Sequence, residues 1–168
     1  MKGGTVRKST VTEREDHLNR RQNWLAQALV ATLECDLIFV DPDNGIRRTE
    51  HAEPRHRTKS VKHAYLDELE AFAIRGQSVV AYHHADRSAS VAQQAMLRLS
   101  DLAEDMSVEP LAAVRASRGT TRLFLVAANA LHVDHLTSRL LALKSSKWSS
   151  ELIVYWWPTR AGGPFARP

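Results

Sequence analysis

The sequence predicts an α/β domain with a short, mainly parallel sheet flanked by helices and extended by a C-terminal antiparallel hairpin. Two short apolar runs, Leu37–Val40 and Ser78–Tyr82, are rich in branched and aromatic residues, as strands buried on both faces are. The stretch between them carries apolar residues at helical spacing, which predicts a βαβ unit. Two further apolar segments, 108–117 and 123–127, flank Arg118-Gly-Thr-Thr121 and predict the hairpin.

The remaining elements follow from apolar spacing and capping residues. Thr12–Leu33 has apolar residues near one face and a Thr and a Glu at the spacing of a capping box. The helix predicted at 61–75 ends before Gly76, a favoured residue just past a helix. Ser88 is suited to cap a helix that runs to about residue 105. A helix at 131–144 and a strand at 152–156 complete the predicted order.

Length and composition indicate one domain. The chain has 168 residues, 43% hydrophobic and 25% charged, which is sufficient for one buried core. We expect residues 1–11 to form a mobile basic arm, 12–157 the single α/β domain, and 158–168 a loose tail. No apolar run approaches the roughly 20 residues that span a membrane, so we expect no membrane partner.

Cysteine usage and charge narrow the setting and the partners. Cys35 is the sole cysteine, which excludes an intramolecular disulfide and favours a reducing, cytoplasmic location. The first ten residues show no apolar secretory segment. The net charge of +4 permits an anionic partner such as nucleic acid.

The candidate site follows the two predicted parallel strands. The first strand ends in Asp41-Pro-Asp-Asn-Gly45, and the second is followed by His83-His-Ala-Asp86. Ligands bind at the carboxyl edge of open α/β sheets, so we expect the two loops to meet there. The candidate catalytic residues are Asp41, Pro42, Asp43, Asn44, His83 and His84.

An alternative interpretation of the same loops is a metal-dependent hydrolase or nuclease. Carboxylates suit Mg²⁺ or Mn²⁺, and imidazoles suit Zn²⁺. A bound metal would activate water for phosphodiester cleavage. The alternative ligands are Asp41, Asp43, His83, His84 and Asp86. A turn that simply ends a strand explains Asp41–Gly45 equally well. One packed and one solvated histidine explain His83 and His84 better than two metal ligands do.

A basic segment at 46–60 leaves the same edge of the predicted sheet. Its cations are candidates for phosphate contact, although a solvated loop is the simpler interpretation. The candidate nucleic-acid contacts are Arg47, Arg48, Arg55, Arg57 and Lys59.

A third interpretation is a non-enzymatic interaction module. Trp156 and Trp157, with Tyr155 and Phe165, would form an exposed patch for a protein partner or a second copy of the chain. The competing interpretation is that these rings pack into the core or against an edge strand.

The order of elements and the Asp41-Pro-Asp-Asn44 stretch resemble the C-terminal half of class I, Rossmann-like S-adenosylmethionine-dependent methyltransferases. In that family the matching strand ends in Asp/Asn-Pro-Pro-Tyr/Phe. Residues 36–128 also resemble uncharacterised bacterial proteins with an Asp-Pro-Asp-Asn-Gly motif. The resemblance implies that Asp41 and Pro42 position an amine and that S-adenosylmethionine is a possible cofactor.

Two departures from the family pattern limit what the resemblance implies. Position 44 is Asn, so the aromatic residue that stacks on the target base is missing there. The sequence before Asp36 contains one helix and no glycine-rich turn after a strand, so the cofactor-binding half is lacking. The resemblance therefore implies a truncated Rossmann-like, methyltransferase-like domain, either active or degenerate.

Overall fold

The computed structural model describes residues 11–48, 55 and 58–158, so the expected arm and tail lie outside them apart from Val11 and Pro158. The helices are Val11–Ala31 (α1), Leu66–Ala73 (α2), Val91–Asp105 (α3) and Val133–Lys144 (α4), with 3-10 turns at Thr58–Lys62 and Ala130–His132. The strands are Leu37–Val40 (β1), Ile46–Arg47 (β2), Ala64–Tyr65 (β3), Ser78–His84 (β4), Glu109–Arg118 (β5), Thr120–Ala128 (β6) and Leu152–Trp156 (β7). Within these ranges, no helix has the length and apolar character needed to cross a membrane.

The fold class is α/β, as predicted, with a five-stranded sheet in the order β1-β4-β6-β5-β7. β1 and β4 pair in parallel, whereas the β4–β6, β5–β6 and β5–β7 pairs are antiparallel. The sheet is therefore mixed, and the prediction that it is mainly parallel is wrong. The physical reason is the hairpin: its tight turn at Gly119 makes β5 and β6 antiparallel, and β6 also pairs in the antiparallel direction with β4. The arrangement remains consistent with a Rossmann-like α/β fold.

Helices cover both faces of the sheet. α2 and α3 pack on the face that carries Ile38, Val79 and Leu125, which we call the α2 face. α4 packs on the opposite face, the α4 face, where Val126 and Leu140 belong to a second core. Successive side chains of a strand point to opposite faces. The position of each site residue along its strand therefore determines the face on which its side chain lies.

The parallel pairing brings the carboxyl ends of β1 and β4 together. Val40, the last residue of β1, lies opposite Ala81, so the segment after β1 begins beside Tyr82. β4 continues to His84, whereas the sequence predicted a strand end at Tyr82. Both histidines therefore belong to the strand, and His83 and His84 point to opposite faces.

Candidate functional site

The segments that follow β1 and the end of β4 meet at Gly45 and His83. Gly45 has a φ of 92°. A Cβ built on it would lie 2.6 Å from His83 Nδ1 and 2.9 Å from His83 Cα. The next backbone amide, Ile46 N–H, donates to His83 Nδ1 at 3.2 Å. The Asp41–Gly45 turn is thus fixed against β4 by a close packing contact and a hydrogen bond.

His83 is a structural acceptor in this contact. Burial, reinforced by the nearby positive charge of Arg98, lowers the pKa of its imidazole to about 4. Because Nδ1 accepts the amide proton of Ile46, the neutral ring carries its own proton on Nε2. His83 lies opposite the fully buried Leu123 of β6, on the α2 face.

We expect the free energy of unfolding to fall by about 3 kcal/mol between pH 6.5 and pH 4 because of His83. Its folded pKa is below the unfolded value of 6.5, so the unfolded chain takes up this proton first as the pH falls. The contribution is fully present above pH 6.5. Urea titrations from pH 7 to pH 4 measure it, with His83→Asn flattening the dependence while keeping an acceptor for Ile46. His84→Asn, at an exposed position, is the control; an unchanged pH dependence in His83→Asn contradicts the assignment.

On the α4 face, two carboxylates and three aromatic rings share an open cavity of about 460 Å³. We call it the aromatic cavity. It is lined by Phe39, Asp41, Asp43, Tyr82, Arg122 and Phe124. The ring centroids of Phe39 and Tyr82 lie 6.2 Å and 5.9 Å from that of Phe124. The rings form an apolar floor, and the carboxylates stand at its rim.

The turn that carries the carboxylates is held by its backbone. Asn44 N–H donates to the carbonyl oxygen of Lys62 at 2.8 Å, and Gly45 N–H donates to that of Pro42 at 3.3 Å. The side chains of Asp41, Asp43 and Asn44 are exposed. Lys62 Nζ lies 3.8 Å from Asp43 Oδ2. This is a long ion pair between two exposed groups, so it contributes little to the stability of the fold. The backbone of the turn is therefore held in place, and its carboxylates are accessible to a ligand.

The structure divides the six candidate catalytic residues between the two faces. Asp41 and Asp43 line the aromatic cavity, and His84 joins their face, where its Nδ1 is 3.2 Å from the hydroxyl of Tyr82. Pro42 and Asn44 form part of the turn, and Pro42 also lines a larger cavity beside β1, described below, as Asp41 and Asp43 do. His83 lies on the other face, so it does not face the carboxylates across one cavity.

The alternative metal-binding set is not assembled. Within the described ranges, no three or more His, Cys, Asp or Glu side chains are grouped closely enough to hold a metal ion. His83 is separated from the carboxylates as above. Asp86 accepts hydrogen bonds from the hydroxyl and the amide of Ser88, and these bonds lower the pKa of its carboxyl. The donor set therefore does not fit Mg²⁺, Mn²⁺ or Zn²⁺, and we derive no step through a metal.

Two cations of the basic segment 46–60, Arg48 and Arg55, form ion pairs with carboxylates of the same domain. Arg48 forms ion pairs with Glu104 at 2.6 Å and Asp105 at 3.0 Å, at the end of α3. Arg55 forms an ion pair with Asp67 at 2.6 Å and lies over the ring of Tyr65. Arg47 belongs to β2. Arg57 and the side chain of Lys59 lie outside the described residues, so their predicted contacts stay predictions.

A second, larger cavity of about 680 Å³ lies between α1 and the open edge of β1. Asp41, Pro42 and Asp43 line it as well, together with α1 and α2 residues such as Trp24 and Phe72. None of the glycines that the structure describes lines it. Gly45, which follows β1, is closed off by His83. The residues present therefore do not form the glycine-rich cradle that the resemblance implies for S-adenosylmethionine, and we derive no step through that cofactor.

The tryptophan pair near the C-terminus packs within the fold. Trp157 packs against the core on the α2 face, as does Tyr155, and Trp156 packs against the core on the α4 face. Phe165 lies outside the described residues. The patch predicted for a protein partner is thus not formed by these three rings, and packing is the better interpretation.

Comparisons with protein families, with curated proteins and with solved structures gave no match to this chain. The site must therefore be interpreted from its own residues. Three of them, Phe39, Arg122 and Phe124, were not predicted. The alternation within β1 and β6 was visible in the sequence, but the cross-strand register that places Phe124 beside Tyr82 was not.

Proposed function

We propose that this chain is a methyltransferase-like α/β domain that binds an amine-bearing nucleobase in the aromatic cavity. The observation that carries the proposal is the shared cavity of Asp41, Asp43 and the rings of Phe39, Tyr82 and Phe124. Base–aromatic stacking is sequence-tolerant and contributes about 1–3 kcal/mol per base. The ring that is missing at position 44 is thus replaced by rings from the sheet itself.

The carboxylates give the cavity its preference for an amine. An ionised carboxylate accepts hydrogen bonds and cannot donate them, so it favours the exocyclic amine of adenine or cytosine over a carbonyl oxygen. Arg122 at the cavity wall is exposed and suited to the phosphate attached to such a base. Together these groups provide an acceptor, a stacking surface and a cation, which a nucleotide requires.

In this proposal the chain binds the base but does not itself transfer a methyl group. The cavity beside β1 lacks the features of a cofactor cradle, which supports a degenerate, binding-only member of the methyltransferase-like group. The scattered metal donors make the hydrolase alternative less well supported. A purely protein-binding module would not need two carboxylates at an aromatic cavity.

Calorimetric titration with adenosine and purine riboside tests the proposal, because purine riboside lacks the exocyclic amine and adds no other hydrogen-bond donor. We expect adenosine to bind at least about tenfold more tightly than purine riboside, since a hydrogen bond to a charged group contributes about 1.5–3 kcal/mol. Asp41→Ala should remove this preference, and Phe39→Ala should weaken both ligands by about tenfold. Asp36→Ala, which alters an exposed carboxylate at the amino end of β1, is the matched control.

Equal binding of the two nucleosides, or a preference for adenosine that persists in Asp41→Ala, contradicts the proposal. Titration with S-adenosylmethionine and with Mn²⁺ in the same series tests the other interpretations. Cofactor binding that depends on Asp41 would support an active methyltransferase. Metal binding that is lost in Asp43→Ala would support the hydrolase.

A further inference from the structure

Two arginines continue the aromatic cavity across the sheet on the same face. Directly opposed residues of antiparallel strands share a face. Arg122 of β6 lies opposite both His84 of β4 and Ala116 of β5, and Arg118 lies two residues beyond Ala116. Arg122 and Arg118 therefore point to the face that carries Tyr82 and the aromatic cavity. Both side chains are exposed.

An exposed tryptophan stands at the far end of this row. Trp148 precedes β7 and is 43% exposed. The guanidinium carbon of Arg118 lies 5.6 Å from its ring centroid, and the ammonium of Lys147 lies 5.5 Å from it. No carboxylate in the described parts of the chain forms an ion pair with Arg118, Arg122 or Lys147. We call Arg122, Arg118, Lys147 and Trp148 the Trp148 strip.

The strip has a length that fits several nucleotides. Adjacent strands lie about 4.8 Å apart, so β1 and β5 are about 14 Å apart across three spacings. The register places Ala113 level with Val40, and Arg118 lies five residues, about 17 Å, farther along β5, so Val40 and Arg118 are about 22 Å apart. The guanidinium carbon of Arg118 lies 5.6 Å from the ring centroid of Trp148. A stacked single strand advances about 3.4 Å per nucleotide, so this path of about 28 Å corresponds to about eight nucleotides.

We propose that the Trp148 strip binds the same single-stranded nucleic acid whose base occupies the aromatic cavity, an inference that rests on the proposed function. Arg122 and Arg118 contact successive phosphates, and Trp148 stacks on a second base. The alternation of cations with an exposed ring is the pattern that single-strand binding surfaces use. A duplex would not fit this pattern, because its base faces are hidden within the stack.

Fluorescence anisotropy with labelled oligodeoxyadenylates of two, four, eight and twelve nucleotides tests the strip. We expect affinity to rise steeply between four and eight nucleotides and to rise less beyond. Trp148→Ala should weaken the eight-nucleotide strand about tenfold and leave adenosine binding unchanged. Arg118→Ala and Arg122→Ala should each reduce the slope of log affinity against log salt by about 0.7. Arg75→Ala, which removes a cation between α2 and the amino end of β4 at the opposite edge of the sheet, is the control for the salt dependence.

Tryptophan fluorescence supplies a second measurement that does not depend on affinity. Stacking of a base on Trp148 should quench emission when the eight-nucleotide strand binds, and Trp148→Phe should lose this quenching while Trp24→Phe keeps it. Wild-type affinity for the eight-nucleotide strand in Trp148→Ala overturns the strip while adenosine binding stands. Oligonucleotide binding that needs Trp148 without any adenosine binding overturns the proposed function instead. Equally tight binding of polyglutamate overturns the strip as a nucleic-acid surface.

Discussion

Gly45→Ala is expected to lower the free energy of unfolding by about 3 kcal/mol and the melting temperature by about 6–12 °C. Two costs add at this position. The φ of 92° is unfavourable for a residue with a side chain, at about 1–2 kcal/mol. The new methyl group would also lie 2.6 Å from His83 Nδ1 and 2.9 Å from His83 Cα, and overpacking of this kind costs about 1–3 kcal/mol.

Gly119→Ala separates the two costs. Gly119 has a similar φ of 80°, but an added Cβ there would meet nothing within 4 Å. We therefore expect a loss of about 1–2 kcal/mol at Gly119, from backbone conformation alone. Urea unfolding of both variants gives the comparison. Equal losses would mean that the Asp41–Gly45 turn moves away from His83 freely, and the contact would then not fix the turn.

The parts of the fold that depend on local pattern could be predicted from the sequence. The apolar run Leu37–Val40 stops at a turn-forming stretch, and the structure has a strand with those bounds. The hairpin around Gly119 and the strand at 152–156 follow from the same kind of signal. Parallel pairing of β1 and β4 followed from the helix predicted between them, because strands joined by a helical crossover in one sheet run in the same direction.

The features that depend on register could not be predicted. β4 extends two residues beyond its predicted end at Tyr82. His83 and His84 are therefore strand residues on opposite faces and not neighbours in one loop. The same register placed Phe124 and Arg122 beside Tyr82, which created the aromatic cavity. The mixed character of the sheet has a similar origin, because the insertion of β6 beside β4 is a long-range choice that no local pattern encodes.

Arg21→Met is the second variant for which we expect a large loss, about 3 kcal/mol of unfolding free energy. α1 has no fully buried residue among those described, and its apolar contacts with the core come from partly buried residues such as Leu25 and Leu29, so polar anchors add to its attachment. Arg21 forms an ion pair with Glu68, donates to the carbonyl oxygen of His63 at 2.7 Å, and lies over the ring of Tyr65. Removing one partner of a buried pair leaves the other charge without compensation, and Glu68 is 4% exposed.

A double-mutant cycle identifies the cause of this loss. In the Arg21→Met background, Glu68→Gln should restore most of the stability, because the buried charge is gone while an acceptor for the amide of Tyr65 remains. Lys62→Ala, which breaks the exposed ion pair with Asp43, should cost at most about 0.5 kcal/mol. If Glu68→Gln gives no recovery, the loss comes from the carbonyl and ring contacts of Arg21. In that case α1 is held by the shape and donors of the guanidinium, and the charge of Glu68 is incidental.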